Sequence, residues 1–252
     1  MRLRPFQLAL LIFVGLVAFG CTSSVRTKKE YYPNKRVLEQ WAEAKDRTGR
    51  YVRHGDYSSY YEDGRRKVKG EYIFGLKAGK WETYSESGEL KQVQQYVKGE
   101  LNGMNTSYFP SGHVESEGSY KNGRPVGTWV KWHRSGKKLE KWSYRNGKEH
   151  GTWTRWHANG AKAEEGKFEN GLRHGTWKSW YPDGRKQQEL NYRKGMEQGE
   201  YIAWHPNGYR RQDGQFFNGK REGIWTVYSE SGLEQKQELY RDGLLMPLAK
   251  DE

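Results

Sequence analysis

Residues Gly151 to His174 read Gly-Thr-Trp-Thr-Arg-Trp-His-Ala-Asn-Gly-Ala-Lys-Ala-Glu-Glu-Gly-Lys-Phe-Glu-Asn-Gly-Leu-Arg-His, and this stretch decides the fold. Two turn signals divide it, Asn159-Gly160 and Asn170-Gly171. Asn-Gly favours positive φ and tight hairpin turns. The segments between the turns are short and aromatic, which is the pattern of a strand, a turn, a second strand and another turn. No helical period with caps runs through the stretch.

The same stretch recurs along the chain. Gly55, Gly79, Gly103, Gly127, Gly151, Gly175, Gly199 and Gly223 are spaced by 24 without exception. Counting each repeat from that glycine, the tenth position is Gly in all eight (Gly64 to Gly232), and so is the twenty-first (Gly75 to Gly243). Four further glycines, Gly70, Gly118, Gly166 and Gly214, occupy the sixteenth position of alternate repeats, a second period of 48. Aromatics keep the same register: position three runs from Tyr57 to Trp225 with Asn105 as the exception, and position six is Tyr or Trp throughout. Position eighteen is Tyr or Phe from Tyr72 to Tyr240. A fixed period of this length signals a repeat array. Strands joined by short turns are antiparallel neighbours, so eight hairpins predict an all-β, elongated antiparallel meander of about 16 strands.

Composition agrees. Leu, Ile, Val and Phe number only 41 of 252 residues, too few for a large aliphatic core, yet 11 Trp and 18 Tyr argue against disorder. Aromatic rings lying over glycine backbone stand in for the missing oily interior. A repeat array of this kind is held by contacts between neighbours rather than by one globular core.

Asn-Gly-Lys-Glu-His-Gly-Thr-Trp (146–153) and Asn-Gly-Leu-Arg-His-Gly-Thr-Trp (170–177) resemble the core of the MORN repeat. The wider pattern, Gly-x-Trp-x-x-Trp/Tyr-x-x-x-Gly followed by Tyr-x-x-Gly, is similar to the bacterial MORN-repeat variant shared with proteins labelled YwqK-family antitoxins. The resemblance covers about three quarters of the chain. It implies a β-hairpin array without catalytic residues of its own, and protein or phospholipid binding. In bacteria it also implies toxin neutralisation. Asn105 departs from the aromatic pattern, and the core histidine survives only as His54, His150 and His174.

The flanks set the boundaries. Residues 1–20 have a basic start and an apolar run from Phe6 to Phe19, too short to span a bilayer comfortably, and read as an export signal. Ala18-Phe19-Gly20-Cys21 resembles the lipobox of bacterial lipoproteins, which implies cleavage before Cys21 and lipid on its sulfur. Thr22 in place of Asp implies sorting to the outer membrane, facing the periplasm. Residues 21–54 read as a linker and cap carrying a net +5 over 22–54, a charge that anionic head groups attract. That cap is either a short helix from Asn34 through Arg47, the preferred reading, or a degenerate repeat. In the second reading Tyr31-Tyr32-Pro33-Asn34 mimics Trp180-Tyr181-Pro182-Asp183. Eight repeats fill 55–246, and Pro247 opens a tail, 247–252, because proline cannot donate to the sheet ladder.

The pI of 9.6 does not make an exported chain a nucleic-acid binder, because the repeats mix both signs of charge. His133, His157 and His205 share position seven, but equivalent residues in successive hairpins stand about 10 Å apart, too far to share one zinc. No catalytic motif breaks the period, so no enzyme activity and no cofactor are expected. The candidate binding residues are Trp129, Trp132, Trp153, Trp156, Trp177, Trp180 and Trp204, with Lys131, Arg155 and Lys178 interleaved. Positions three and six differ by an odd number, so each sheet face should carry an aromatic row. Exposed aromatic rows mark interfaces. The expected function is a lipid-anchored envelope scaffold for a protein partner, a toxin or an envelope protein. The alternative is a structural module binding phospholipid head groups or cell-wall glycan.

Overall fold

The computed structural model describes residues 25–247. The expected signal peptide, Cys21 as the expected site of lipid attachment, and the tail beyond Pro247 lie outside the described residues. Twenty strands form one antiparallel sheet in which each strand pairs with its neighbours in the chain. β1 (Arg26–Tyr31) pairs with β2 (Val37–Lys45), β2 with β3 (Tyr51–Tyr60), and the meander continues to Leu244–Met246. The eight repeats supply the sixteen strands expected of them. The others are the hairpin of β1 and β2, the short closing strand, and a break at His150 that divides one strand into Lys148–Glu149 and Gly151–Trp156.

No helix forms between Asn34 and Arg47; β2 occupies that segment, and the degenerate-repeat alternative holds. The reason is visible at Tyr32. Its hydroxyl donates to the carbonyl of Tyr60 at 2.9 Å, as the Tyr181 hydroxyl donates to that of Trp204 at 2.8 Å. Asn34 accepts the amide of Arg36 as Asp183 accepts that of Arg185. Local helix propensity yields to the open ladder of β3, whose unpaired groups the hairpin satisfies.

The two Asn-Gly signals make different turns, one at each rim of the sheet. At positions twenty and twenty-one both residues have positive φ, as in Asn170 (53°) and Gly171 (84°), which is the type I′ hairpin. At positions nine and ten only the glycine does (Gly160, 92°). There the Gly160 amide donates to the His157 carbonyl, and the His157 amide donates to that of Ala161. This is a type I turn closed by a left-handed glycine, and the Asn159 side chain accepts the Ala161 amide.

Each rim is stitched from repeat to repeat. On the type I′ rim the glycine amide donates to the position-twenty-three carbonyl just past the preceding turn, Gly171 to Glu149 at 2.8 Å and Gly195 to Arg173 at 2.9 Å. On the opposite rim a His or Tyr side chain at position seven reaches the carbonyl at position six of the next repeat. His157 Nε2 donates to Trp180 at 2.8 Å, and His205 Nε2 to Tyr228 at 3.0 Å. The recurrent histidines are therefore structural cross-ties. The last strand among the described residues is Leu244–Met246, and Pro247 stands where a ninth repeat would need its first glycine. All eight first glycines have positive φ, a conformation that proline cannot adopt.

Candidate functional site

The 24 glycines at positions one, ten and twenty-one all have positive φ, whereas the four at position sixteen do not. These four are present for space. A Cβ added at Gly70, Gly118, Gly166 or Gly214 would stand 2.1 to 2.3 Å from the indole of Trp81, Trp129, Trp177 or Trp225, the third residue of the next repeat. The register shows how the ring arrives there. Glu165 pairs with Lys178 and Lys167 with His174, so Gly175, Thr176 and Trp177 together oppose the single residue Gly166. In the intervening repeats position sixteen is Gln94, Trp142, Leu190 or Glu238, and after Gln94 and Leu190 the bulge opposes position seventeen, Gln95 and Asn191, instead. The period of 48 is this alternation.

Three of these tryptophans, Trp81, Trp177 and Trp225, are each the centre of an aromatic box capped by a cation. Trp177 stacks on Trp153 at 5.4 Å and receives the edges of Phe168 and Tyr192 at 5.2 and 6.0 Å. The Arg173 guanidinium covers its remaining face at 4.0 Å, and its Nε1 donates to the Lys167 carbonyl. Trp81 and Trp225 repeat the arrangement with Lys77 and Arg221, each at 4.2 Å. Burial against Trp81 lowers the Lys77 ammonium pKa from its ordinary value. The Trp129 box is incomplete. Asn105 replaces the stacking ring, Pro125 stands at the cation's position, Trp142 stacks at 6.1 Å, and the buried Nε1 of Trp129 has no partner.

The seven tryptophans singled out from the sequence therefore divide between two faces. Trp129 and Trp177 are 8% and 4% exposed and face their own sheet, and Trp153 is half-buried in the stack on Trp177. Burial corrects the expectation that Trp129 and Trp177 offer exposed rings to a partner. Trp132, Trp156, Trp180 and Trp204 lie half-buried on the other face. Lys162 Nζ sits 5.4 Å above the Trp180 ring and Lys186 Nζ 5.3 Å above Trp204. Both lysines also pair with carboxylates three residues on, Glu165 at 2.8 Å and Glu189 at 3.1 Å.

Sequence reasoning missed the cations that cap the buried boxes. Arg173 lies over Trp177 and also 3.6 Å from Glu164, which Arg155 holds at 3.1 Å. Together they line a small hollow of about 200 Å³ on the boxed face. The available signal was the recurrence of Lys77, Arg173 and Arg221 at position twenty-three, always in the repeat ahead of a boxed tryptophan. Near the N-terminal end, burial and the Glu39 carboxylate that accepts its hydroxyl at 2.7 Å push the Tyr57 phenol up to about 12. Among the described residues no group of three or more His, Cys, Asp or Glu is placed to hold a metal ion.

No curated protein matches the chain. Among solved structures, a porin-like protein from Bacteroides uniformis ATCC 8492 is 10% identical, with 85% of this chain and 94% of that one covered, at a TM-score of 0.19. The family model described as the MORN repeat variant matches residues 53–73, 77–98, 101–122, 125–146, 149–170 and 173–194. Each matched segment is one hairpin around the type I turn, and the two hairpins beyond Lys194 keep the same pairing although the model stops before them. Those six units amount to just over half of the residues, and the chain belongs to the MORN repeat variant family.

Proposed function

We propose that this protein is a non-enzymatic binding scaffold, exported and held to the cell envelope by lipid on Cys21. In this reading it takes a protein partner on the face carrying Trp132, Trp156, Trp180 and Trp204. The observation that carries the reading is the difference between the two faces. One set of rings is buried in boxes and capped by cations, whereas the position-six row is half-buried on a single-layer sheet with no second layer over it. Trp, Tyr and Arg dominate interface energetics, and a flat row with interleaved lysines fits a protein surface of mixed apolar and acidic character. The likeness to proteins labelled YwqK-family antitoxins supports a neutralising role, with a toxin as the partner.

The test is co-expression with a candidate toxin encoded beside this chain, followed by capture of the complex. The Trp132→Ala, Trp156→Ala, Trp180→Ala variant should retain its circular dichroism and lose both capture and protection. Equal capture by this variant and by the unsubstituted chain would end the reading. Metabolic labelling with palmitate tests the anchor separately: label should enter the unsubstituted chain and not Cys21→Ser.

A further inference from the structure

Every inner strand of the meander is paired on both sides, and the two ends of the sheet are the exceptions. Glu234–Arg241 is the last full strand. The short strand Leu244–Met246 pairs with Leu239, Tyr240 and Arg241 alone. Pro247 then occupies the first position of a ninth repeat, where it can neither take positive φ nor donate an amide. Glu234 to Glu238 therefore pair with the strand before them and, among the described residues, with nothing on the outer side. Inside the array that outer place belongs to positions three to five of the next repeat. Tyr201, Ile202 and Ala203 pair there with Leu190, Glu189 and Gln188.

The N-terminal end of the sheet is the missing piece. Tyr32 makes the position-seven cross-tie to the Tyr60 carbonyl, which makes Arg26–Tyr31 positions one to six of the degenerate repeat. The pairing agrees: Lys28 faces Trp41 and Lys29 faces Gln40, as Trp177 faces Leu190 and Lys178 faces Glu189. β1 is thus a half-strand of six residues, all exposed. It pairs with β2 on one side and, among the described residues, with nothing on the other. One end of the array lacks positions one to six after Met246, and the other end begins with them.

Charge follows the same register. With β1 of a second copy in the vacant place, Lys28 stands opposite Glu238, Lys29 opposite Gln237 and Glu30 opposite Lys236. Opposite charges directly across a strand pair stabilise it. Lys236 and Glu238 already pair with each other at 2.6 Å, so Lys28 and Glu30 complete an alternating square of charge. Lys28 carries no ring, so it does not need the glycine that a boxed tryptophan requires opposite it. A second β1 is a poorer partner for β1, because it brings two sets of Arg26, Lys28 and Lys29 together.

We propose that copies of this chain join end to end, β1 of one copy completing the edge left at Glu234–Glu238 of another. The contact is heterologous, so a joined pair keeps one free end of each kind and the product is an open filament. One six-residue strand is a small contact, so junctions form as concentration rises and dissolve on dilution. The join also carries the position-six row from Tyr228 on to Tyr31. The inference goes beyond the scaffold reading and uses neither lipid on Cys21 nor the position-six tryptophans.

Residues 25–247 make their ladder among themselves, so a chain beginning at residue 22 keeps the sheet and lacks Cys21, the one cysteine of the sequence. In sedimentation equilibrium its average mass should rise with concentration past that of a dimer. Glu30→Lys alone and Lys236→Glu alone should each weaken the association about fivefold. The two together should restore it, because the pair is then reversed. With Lys29→Cys and Gln237→Cys in one chain, oxidation should give a ladder of disulfide-linked dimers, trimers and longer species. Lys29→Cys with Gln235→Cys is two residues out of register and should not. A mass that stays at one chain, a disulfide closed within one chain, or equal weakening by the single and the double charge reversals would overturn the proposal. So would association that appears only once residues 248–252 are removed, since the chain's own tail would then be the strand that covers the edge. Each of these results leaves the scaffold reading to its own test, because the anchor and the position-six tryptophans are untouched in every variant.

Discussion

Trp177 lies over the backbone of Gly166 so closely that a Cβ on that glycine would stand 2.1 Å from the indole Cδ2. This relationship recurs at Trp81, Trp129 and Trp225, and it replaces the hydrophobic core. A single sheet has no opposing layer, so the largest side chains bury one face against the only surface available, the sheet's own backbone. Bare backbone is reachable only where a residue lacks a side chain.

Gly166→Ala is therefore expected to destabilise the array by more than ordinary overpacking, about 3 kcal/mol or more. Trp177→Ala alone should cost about 3–5 kcal/mol. Together the two should cost little more than Trp177→Ala, because the added methyl then occupies vacated space. Urea denaturation of the four forms measures the coupling. Additive costs would show that the ring and the glycine are independent.

His157→Ala removes the donor to the Trp180 carbonyl and should cost about 1 kcal/mol. His157→Tyr should be close to neutral, because Tyr181 makes the same cross-tie in the next repeat. Thermal melts of both variants compare them. A tyrosine as damaging as the alanine would mean that the ring's packing, and not its hydrogen bond, matters.

The Tyr57 phenol is raised to about 12 from an ordinary 10. The folded state thus holds this proton more tightly than the unfolded chain, and its contribution is fully present below about pH 10. It is lost as pH rises through about 12. The stability advantage of the native chain over Tyr57→Phe should be constant from pH 7 to 9 and shrink between pH 10 and 12. Denaturant midpoints across that range provide the measurement. An advantage independent of pH would remove the phenol from the account.

Deleting residues 25–45 removes β1 and β2 and bares the ten-residue ladder of β3. Uncovered edges of that length recruit other strands. The shortened chain should elute as oligomers on size exclusion where the full array does not. The edge of β1 is protected differently, by Arg26, Lys28 and Lys29, all exposed.

Much of the fold was legible because turn chemistry and repeat period are local. Asn-Gly marks a turn at both Asn159-Gly160 and Asn170-Gly171, and the 24-residue spacing then places every strand. The N-terminal cap was less legible. Residues 34–47 carry a capping asparagine and a one-sided apolar pattern, and nothing local says that an unpaired strand waits at Tyr51. Pairing with β3 overrides the helical preference. The candidate binding residues divided for a similar reason: Trp153 and Trp177 share position three, and only the alternate glycine Gly166 lets Trp177 bury where Trp153 stays half-buried.

The sequence by itself determined the repeat, the positions of the turns and the opposed aromatic rows. Each of these follows from backbone geometry within a few residues. Only the tertiary structure decided which row is boxed and which lies open. The alternate glycines admit a ring from the following repeat on one face alone, and that contact depends on a bulge register between strands.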